Sequence, residues 1–278
     1  TYELSIAGAN ENAAATGDLD LLVSMEIGPP LGASPDAAAY VVDANGIDRV
    51  MDVRAPGGSS IVLRGMTLTG GSALLASPEE GGGLLTGVSS AGQIHVRVED
   101  CVVTGNQANS GGGLLASDTD LTILRSTISN NHAVSVVESG SGGGAYFYAG
   151  SARIQSSTIA GNDATGGAGA VAWSSLAEVS IEQTTIAANS AAIGSIFSTS
   201  DAANLRVRDS ILAGDCNLSG VTTPQSGGGN LESPGDTCGL GPSDQVRISG
   251  AALGLGALAL QGGSAPTMAL AAGSPARN

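Results

Sequence analysis

The amino-acid sequence predicts an all-β fold, a parallel β-helix, in which every turn of the chain adds one short strand to each of several sheets. Three observations predict it. A six-residue phrase recurs along the chain, most plainly as STIAGN at Ser157–Asn162 and STISNN at Ser126–Asn131. Each copy follows a short segment of alternating apolar residues, and a glycine cluster usually comes after it. The copies lie roughly 25 to 35 residues apart, a period typical of stacked supersecondary units.

Aligning the copies on their last residue gives columns of like residues. The aliphatic column three residues earlier predicts a dry core and consists of Leu68, Val103, Ile128, Ile159, Ile186 and Leu212. The last residues predict a ladder of turn residues, Asn106, Asn131, Asn162, Asn189 and Asp215. Asparagine tolerates a left-handed backbone, and its amide can bond to the asparagine of the next coil. Stacked coils about 4.8 Å apart would bring these identical side chains together.

The columns divide one predicted domain, residues 1–278, into three parts. Residues 1–58 contain apolar patches between turn residues and predict an N-terminal cap and the first coils. Residues 59–216 hold the regular coils, each with three short strands, one of them led by glycine. Residues 217–278 start with an irregular loop and predict a C-terminal region that caps the exposed strand edges. Within it, the apolar run Leu253–Leu260 predicts a buried strand or cap.

The charge balance excludes some partners. The chain has 25 acidic residues against ten arginines and no lysine, a formal charge of −15. Nucleic acid is disfavoured, because phosphate binding needs clustered Lys and Arg. No apolar run approaches the roughly 20 residues that span a bilayer, so no transmembrane segment is expected. The chain starts at Thr1 without a charged-then-apolar leader, and we expect a processed, exported product.

The three cysteines fall into two groups. Cys216 and Cys238 flank a Gly/Ser/Pro-rich loop, and a disulfide between them would close that loop in an exported protein. We predict this disulfide, with three reduced and buried thiols as the alternative. Cys101 lies in a small, inward column with serines and threonines, and we expect a buried, inert thiol.

Several segments resemble a known family. The repeat phrases joined to GGGLL, the opening TYELSIAGANENAAATGDLD and the segment IDRVMDV resemble right-handed parallel β-helix repeat proteins of bacterial surfaces. Those proteins have pectin-lyase-like folds and are similar to the repeats of polymorphic outer-membrane proteins. The ending Gln261–Asn278 is similar to the closing motif of choice-of-anchor Q domain proteins. The resemblance implies a single-stranded right-handed helix, exported to the bacterial cell surface, and no assigned reaction.

The search for catalytic residues assigns none. Hydrolases of this fold need converging carboxylates, and the closest local pair is Asp118 and Asp120. These two are also the weak candidates for Ca²⁺, the one cofactor considered, but two carboxylates are too few and a solvated acidic turn is favoured. His95 and His132 occupy different coil positions, and we expect neither to have a carboxylate partner at catalytic spacing.

Two outward faces are regular enough to interpret. Arginines and glutamates alternate in neighbouring columns, which predicts cross-coil ion pairs: Arg97, Arg153 and Arg206 in one column, and Arg64, Glu99, Glu182 and Arg208 in the next. A second face carries threonines, such as Thr67, Thr127 and Thr158, and resembles the water-ordering face of ice-binding solenoids. Threonine is, however, favoured on any exposed strand.

The sequence therefore predicts an extracellular or cell-surface module with a structural or adhesive role. Its expected partners are other copies of itself, other surface proteins or glycans. Two alternatives remain open: a polysaccharide lyase or glycoside hydrolase of the β-helix type, and an ice-binding solenoid. Because the repeat positions have packing or turn roles, we expect function in the unequal loops Ser117–Asp120, His132–Ser141 and Asn217–Asp244.

Overall fold

The computed structural model describes residues 1–8, 15–30, 32–76, 78–87, 92–134, 140–174, 178–198, 204–218 and 224–277. Across them the chain forms the predicted right-handed parallel β-helix. A regular coil contributes one strand to each of four parallel sheets. In chain order these sheets are called C, A, D and B, and the strands of sheet D are very short. The fourth, short sheet is an addition to the three strands per coil that the sequence predicts.

The sheets are defined by their strands within the described ranges. Sheet A has nine strands: Tyr2–Glu3, Val41–Asp43, Thr67–Thr69, Val102–Thr104, Thr127–Ser129, Thr158–Ala160, Thr185–Ala187, Ile211–Ala213 and Leu231–Ser233. Sheet B has eight: Leu19–Leu21, Met51–Val53, Leu84–Thr86, Leu114–Ser117, Ala145–Tyr148, Val171–Ser174, Phe197–Ser198 and Cys216–Asn217. Sheet C has eight: Met25–Ile27, Ser60–Arg64, Ile94–Glu99, Thr119–Leu124, Ser151–Gln155, Glu178–Glu182, Asn204–Arg208 and Gln225–Ser226. Sheet D has four: Gln107–Ala108, His132–Ala133, Asp163–Ala164 and Ser190–Ala191.

The predicted aliphatic columns coincide with the observed register. In sheet A, Val103 pairs with Ile128, and Ile128 pairs with Ile159. These side chains are buried and belong to one apolar cluster that also takes in the inward residues of sheets B and C. Full burial of one such side chain contributes about 1.5–3 kcal/mol, so the stacked columns are the main source of stability.

The corner between sheets A and D contains the asparagine ladder. Asn131 accepts hydrogen bonds on Oδ1 from the main-chain N–H and the Nδ2 of Asn106, at 3.1 and 3.0 Å. Its own Nδ2 donates to Asn162 Oδ1 at 2.9 Å. The left-handed residue is the one before each asparagine: Gly105, Asn130, Gly161 and Ala188. The expectation that the ladder asparagines are themselves left-handed was therefore wrong, because their side chains must point inward to meet.

Asp215 does not extend this ladder, contrary to the sequence prediction. Its side chain is exposed, and its main-chain N–H donates to Ser195 Oγ at 2.7 Å. The ladder ends at Asn189, whose Nδ2 donates to the carbonyls of Ile159 and Ala187. The preceding Gly214 has φ 151°, whereas Gly105 and Gly161 have φ 68° and 70°. The chain therefore leaves the tight corner one coil before the predicted end.

A second ladder lies at the corner between sheets C and A. Ser126 Oγ accepts the main-chain N–H of Cys101 at 3.1 Å, and Ser157 Oγ accepts that of Ser126 at 3.1 Å. Thr184 and Ser210 continue the pattern. The small inward column of the repeat thus satisfies main-chain donors that a buried corner would otherwise leave unpaired.

Glycines precede the strands of sheet B because adjacent coils approach closely there. A Cβ on Gly113 would lie 2.4 Å from the carbonyl oxygen of Gly144 in the next coil. The corresponding distance from Gly83 to the carbonyl oxygen of Gly113 is 2.5 Å. The glycine cluster of each repeat is therefore a packing requirement of the solenoid.

The C-terminal region caps the solenoid only in part. Gln245 and Ile248 form main-chain hydrogen bonds with Asn230 and Glu232, so residues 245–248 cover the last strand of sheet A. The α-helix Gly250–Leu253 follows, then an antiparallel pair of strands, Leu255–Ala259 and Thr267–Leu270, and the 3₁₀ helix Pro275–Arg277. A further 3₁₀ helix, Ala73–Leu75, lies near the start of the regular coils.

The antiparallel pair, which we call the C-terminal hairpin (residues 255–270), lies against the outer face of sheet A. Thr127 Oγ1 donates to the carbonyl of Pro266 at 2.6 Å, and buried Ala265 clusters with Val102 and Ala37. The expectation of a buried strand or cap over residues 253–260 was wrong, because this hairpin runs along the outside of the solenoid and its first strand is largely exposed.

The threonine face of sheet A is only partly open to solvent. Thr127, Ser129 and Thr158 are 1%, 3% and 3% exposed, whereas Thr67, Thr104 and Thr185 are half-buried. An ice-binding face must contact water across its threonines, and the buried members of this face do not.

The predicted disulfide is present. Cys216 and Cys238 are joined with an S–S distance of 1.96 Å and a Cα–Cα distance of 5.0 Å. The bond ties the last strand of sheet B to the irregular loop. None of the helices in the described part of the chain is long and apolar enough to cross a membrane.

Candidate functional site

A groove lies on the outward face of sheet C, near the C-terminal end of the solenoid. It has a volume of about 590 Å³, and four consecutive strands form its floor, from Ser151–Gln155 to Gln225–Ser226. The aliphatic residues of these strands point into the core, so polar side chains face the groove. None of the lining residues is aromatic. The groove thus offers charges, amides and hydroxyls to a ligand.

The groove floor is a grid of three columns set by strand register. The columns are Ser151, Glu178 and Asn204; then Arg153, Ser180, Arg206 and Gln225; then Glu182 and Arg208. Neighbours within a column are about 4.8 Å apart, and adjacent columns are about 6.6 Å apart along the strand. These are the arginine and glutamate columns that the sequence alignment predicts.

Arg206 is the unusual member of the grid. Eight of the ten arginines form ion pairs with carboxylates: Arg49, Arg54, Arg64, Arg97, Arg125, Arg153, Arg208 and Arg247. Arg277 donates to the carbonyl of Leu270 at 3.2 Å. Arg206 is exposed in the groove and makes neither an ion pair nor a side-chain hydrogen bond with any described residue. In a chain with 25 acidic residues, its guanidinium is left available.

Of the two carboxylates in the groove, one is paired and the other is not. Glu182 accepts a hydrogen bond from Arg153 Nη2 at 2.8 Å, whereas exposed Glu178 has no such partner among the described side chains. The two residues are four apart on one strand, which separates their Cα atoms by about 13 Å. Glycoside hydrolases need two carboxyl groups that act as acid and base. Glu182 is already held in an ion pair with Arg153, so this pair does not favour hydrolysis in the groove.

Both histidines have carboxylate partners, which the sequence prediction missed. His95 Nδ1 forms a hydrogen bond with Asp120 Oδ2, one coil away, at 3.0 Å. His132 Nδ1 contacts Asp163 Oδ2 but lacks the geometry of a hydrogen bond. Asp120 also accepts a hydrogen bond from Ser151 Oγ at 2.8 Å. The hydroxyl therefore bonds to the carboxylate and not to the imidazole, so it is not activated as a nucleophile. The repeat alignment could have predicted these pairs, because each histidine and its aspartate occupy the same column.

The predicted calcium candidates are not brought together as ligands. Asp118 is exposed at a corner with φ 44°, while Asp120 binds His95 and Ser151. A closer group of carboxylates lies in the first coils instead. Asp18, Asp20 and Asp52 are buried and each offers an oxygen atom within 4.8 Å of the others, the one such group in the described ranges. We call it the N-terminal acidic cluster.

Two arginines neutralise much of this cluster. Arg49 Nη1 lies 2.9 Å from Asp52 Oδ2 and 3.6 Å from Asp18 Oδ2. Arg54 contacts Asp20 at 3.1 Å and Asp52 at 2.8 Å. Burial raises the pKa of Asp18 to about 7, and the negative charge of Asp48 adds to the effect. The cluster is a buried charge network between the first strands of sheet B. Sequence analysis missed it because residues 1–58 do not align with the repeats.

Cys101 has the predicted character of an inert thiol. It is fully buried in the core, and its sulfur donates to the carbonyls of Glu99 and Leu63 at 3.2 and 3.4 Å. Burial raises the pKa of this thiol to about 12. Because the thiolate is the nucleophile, such a side chain carries no chemistry at neutral pH.

The irregular loops stay a prediction as sites of function. Residues 135–139 and 219–223, which belong to two of those loops, lie outside the described residues. In the third, Ser117–Asp120, the structure shows the His95–Asp120–Ser151 contacts. The groove of sheet C lies on the repeat surface itself.

A comparison with protein families gives one match. A family model described as a right-handed beta helix region matches residues 79–231. Neither the curated proteins nor the solved structures include a match to the chain.

Proposed function

Because the match covers more than half of the chain, the protein belongs to the right-handed β-helix family, and we propose that it is a cell-surface module that binds a glycan in the groove of sheet C. One observation carries the proposal: the guanidinium of Arg206, which has no carboxylate partner among the described residues, stands on the floor of the sheet C groove. Guanidinium groups bind carboxylate, sulfate and hydroxyl oxygens through several donors at once.

The character of the groove favours a glycan over a peptide. Its floor strands are paired with neighbours on both sides, except the last, so a peptide strand has little free edge to pair with. Among the described residues the outward side chains of the groove are charged, amide or hydroxyl groups, which do not anchor an apolar peptide side chain. Hydroxyl-rich ligands match such a surface. The Cys216–Cys238 disulfide supports a place outside the cytoplasm, where disulfides persist.

Binding by isothermal titration against neutral and uronate-containing oligosaccharides tests the proposal. We expect at least one oligosaccharide to bind and Arg206→Gln to weaken its binding about ten-fold or more, since a hydrogen bond to a charged group is worth about 1.5–3 kcal/mol. Arg97→Gln is the matched control, because Arg97 occupies the same outward column but pairs with Glu99 outside the groove. Equal losses in the two variants, or no binding to any oligosaccharide, would contradict the proposal.

A further inference from the structure

The groove contains two unpaired charges of opposite sign. Arg206 and Glu178 are both exposed, both line the groove, and neither forms an ion pair with a described residue. Every other charged side chain that lines it is occupied: Arg153 pairs with Glu182, and Arg208 pairs with Asp209. The ligand therefore meets one free cation and one free anion.

The register sets the spacing between these two charges. Glu178 pairs with Asn204, and Arg206 pairs with Ser180, so the two residues are diagonal neighbours in adjacent strands. The strand spacing and rise place their Cα atoms about 8 Å apart. Asn204 and Ser180 complete the square with neutral side chains. The grid thus holds a positive and a negative group at a fixed offset.

The net charge of the protein restricts the class of glycan that the groove can bind. A chain with a formal charge of −15 repels a polyanion at long range. Electrostatic repulsion would therefore oppose the approach of a purely anionic glycan to the groove. A purely cationic glycan would be attracted to the acidic surface everywhere, without preference for this groove. A glycan that carries both charges avoids long-range repulsion and complements Glu178 and Arg206 at once.

We propose that the groove ligand is a zwitterionic glycan, in which free amino groups and carboxylates alternate along the chain. The amino group would bind Glu178 and the carboxylate would bind Arg206, while Asn204, Ser180 and Gln225 would bond to hydroxyls. This inference rests on the proposed glycan-binding function and names the class of glycan.

Three matched oligosaccharides test it. The first alternates glucosamine, with its amino group free, and glucuronic acid; the second is its N-acetylated form, which keeps only the carboxylates; the third is its carboxyl-reduced form, which keeps only the amines. We expect the wild-type protein to bind the first about five- to ten-fold more tightly than either of the others, as charge-assisted hydrogen bonds imply. Glu178→Gln should remove the preference over the N-acetylated form, and Arg206→Gln the preference over the carboxyl-reduced form.

The controls separate this inference from the proposal beneath it. Glu26→Gln, which removes an exposed carboxylate of sheet C paired with Arg64, and Arg97→Gln should leave all three affinities unchanged. If the N-acetylated form binds as tightly as the free-amine form and Glu178→Gln has no effect, the zwitterionic inference is wrong while glycan binding stands. If none of the three binds and the neutral and uronate panel also fails, the proposed function itself is wrong.

Discussion

At the scale of single residues, Asn131 connects three successive coils through one buried amide. Its side chain exchanges hydrogen bonds with Asn106 and Asn162, and its Nδ2 also donates to the carbonyl of Val103 at 2.9 Å. All of these groups lie where water cannot replace a lost partner. The amide ladder therefore holds the coil spacing in a part of the core that apolar packing alone would leave free to slide.

Replacing Asn131 by Ala should lower the free energy of unfolding by about 2–4 kcal/mol, because several buried groups lose their partners at about 1–3 kcal/mol each. Urea unfolding followed by circular dichroism measures the change. Asn204→Ala, which removes an exposed amide on sheet C, is the control and should shift stability by less than about 0.5 kcal/mol. Equal stability of the two variants would show that the ladder is dispensable.

Residue-scale features were predictable where the repeat makes them periodic. The alignment places the asparagine column correctly over four coils, and it fails at Asp215, where Gly214 adopts a different backbone conformation. The ion-pair columns are visible in the sequence, but the free state of Arg206 is not, because it depends on which guanidinium reaches which carboxylate. The N-terminal acidic cluster was missed, since nothing in residues 1–58 repeats.

At the scale of elements, the C-terminal hairpin covers part of the outward face of sheet A. Thr127 and Pro266, which join the two, are 139 residues apart in sequence. A repeat period relates only neighbouring coils, so it cannot reveal a contact of this range. The sequence predicts the strands of sheet A and their outward threonines, and only the tertiary structure shows that Thr127 and Thr158 are buried.

Ala265→Asp should detach this hairpin, because it introduces a charge where Ala265 packs against Val102 and Ala37. We expect the solenoid to stay folded by circular dichroism, while proteolysis within residues 255–270 accelerates and the dye ANS binds the uncovered face. Leu260→Ser is the control, since Leu260 belongs to the same hairpin segment and is 57% exposed. Unchanged proteolysis of Ala265→Asp would mean that the hairpin does not depend on this contact.

At the scale of the whole molecule, the solenoid distributes its titrating groups unevenly. Burial raises the pKa of Asp18, Asp48 and Asp52 in the first coils. Hydrogen bonds from Arg97 and Arg125 lower the pKa of Glu99 in the middle coils, and hydrogen bonds from Ser226 and neighbouring main-chain groups lower that of Asp244 near the C-terminal end. Each coil contacts only its neighbours, so opposite pH dependences belong to different parts of one molecule.

The direction in which the stability of the first coils changes with pH follows from the pKa of Asp18. Its pKa is about 7 in the folded protein, against about 3.9 in an unfolded chain. Between these values the folded state holds a proton that the unfolded state has lost, so stability falls as the pH rises from about 4 to about 7. The charged groups around it are Asp20, Asp48, Asp52 and Arg49, and the three carboxylates act in the same direction as burial.

Asp18→Asn should therefore flatten the fall in stability by up to about 4 kcal/mol between pH 4 and pH 8, at about 1.4 kcal/mol per pH unit. Urea unfolding across that range measures the total. Hydrogen exchange of strands Leu19–Leu21 and Met51–Val53, corrected for the intrinsic pH dependence, locates the effect in the first coils. Asp118→Asn, at an exposed corner, is the control, and its free energy of unfolding should change with pH as that of the wild type does. If the stability of Asp18→Asn has the same pH dependence as that of the wild type, Asp18 does not retain its proton in the folded state. The arginines of the cluster then neutralise its charge fully.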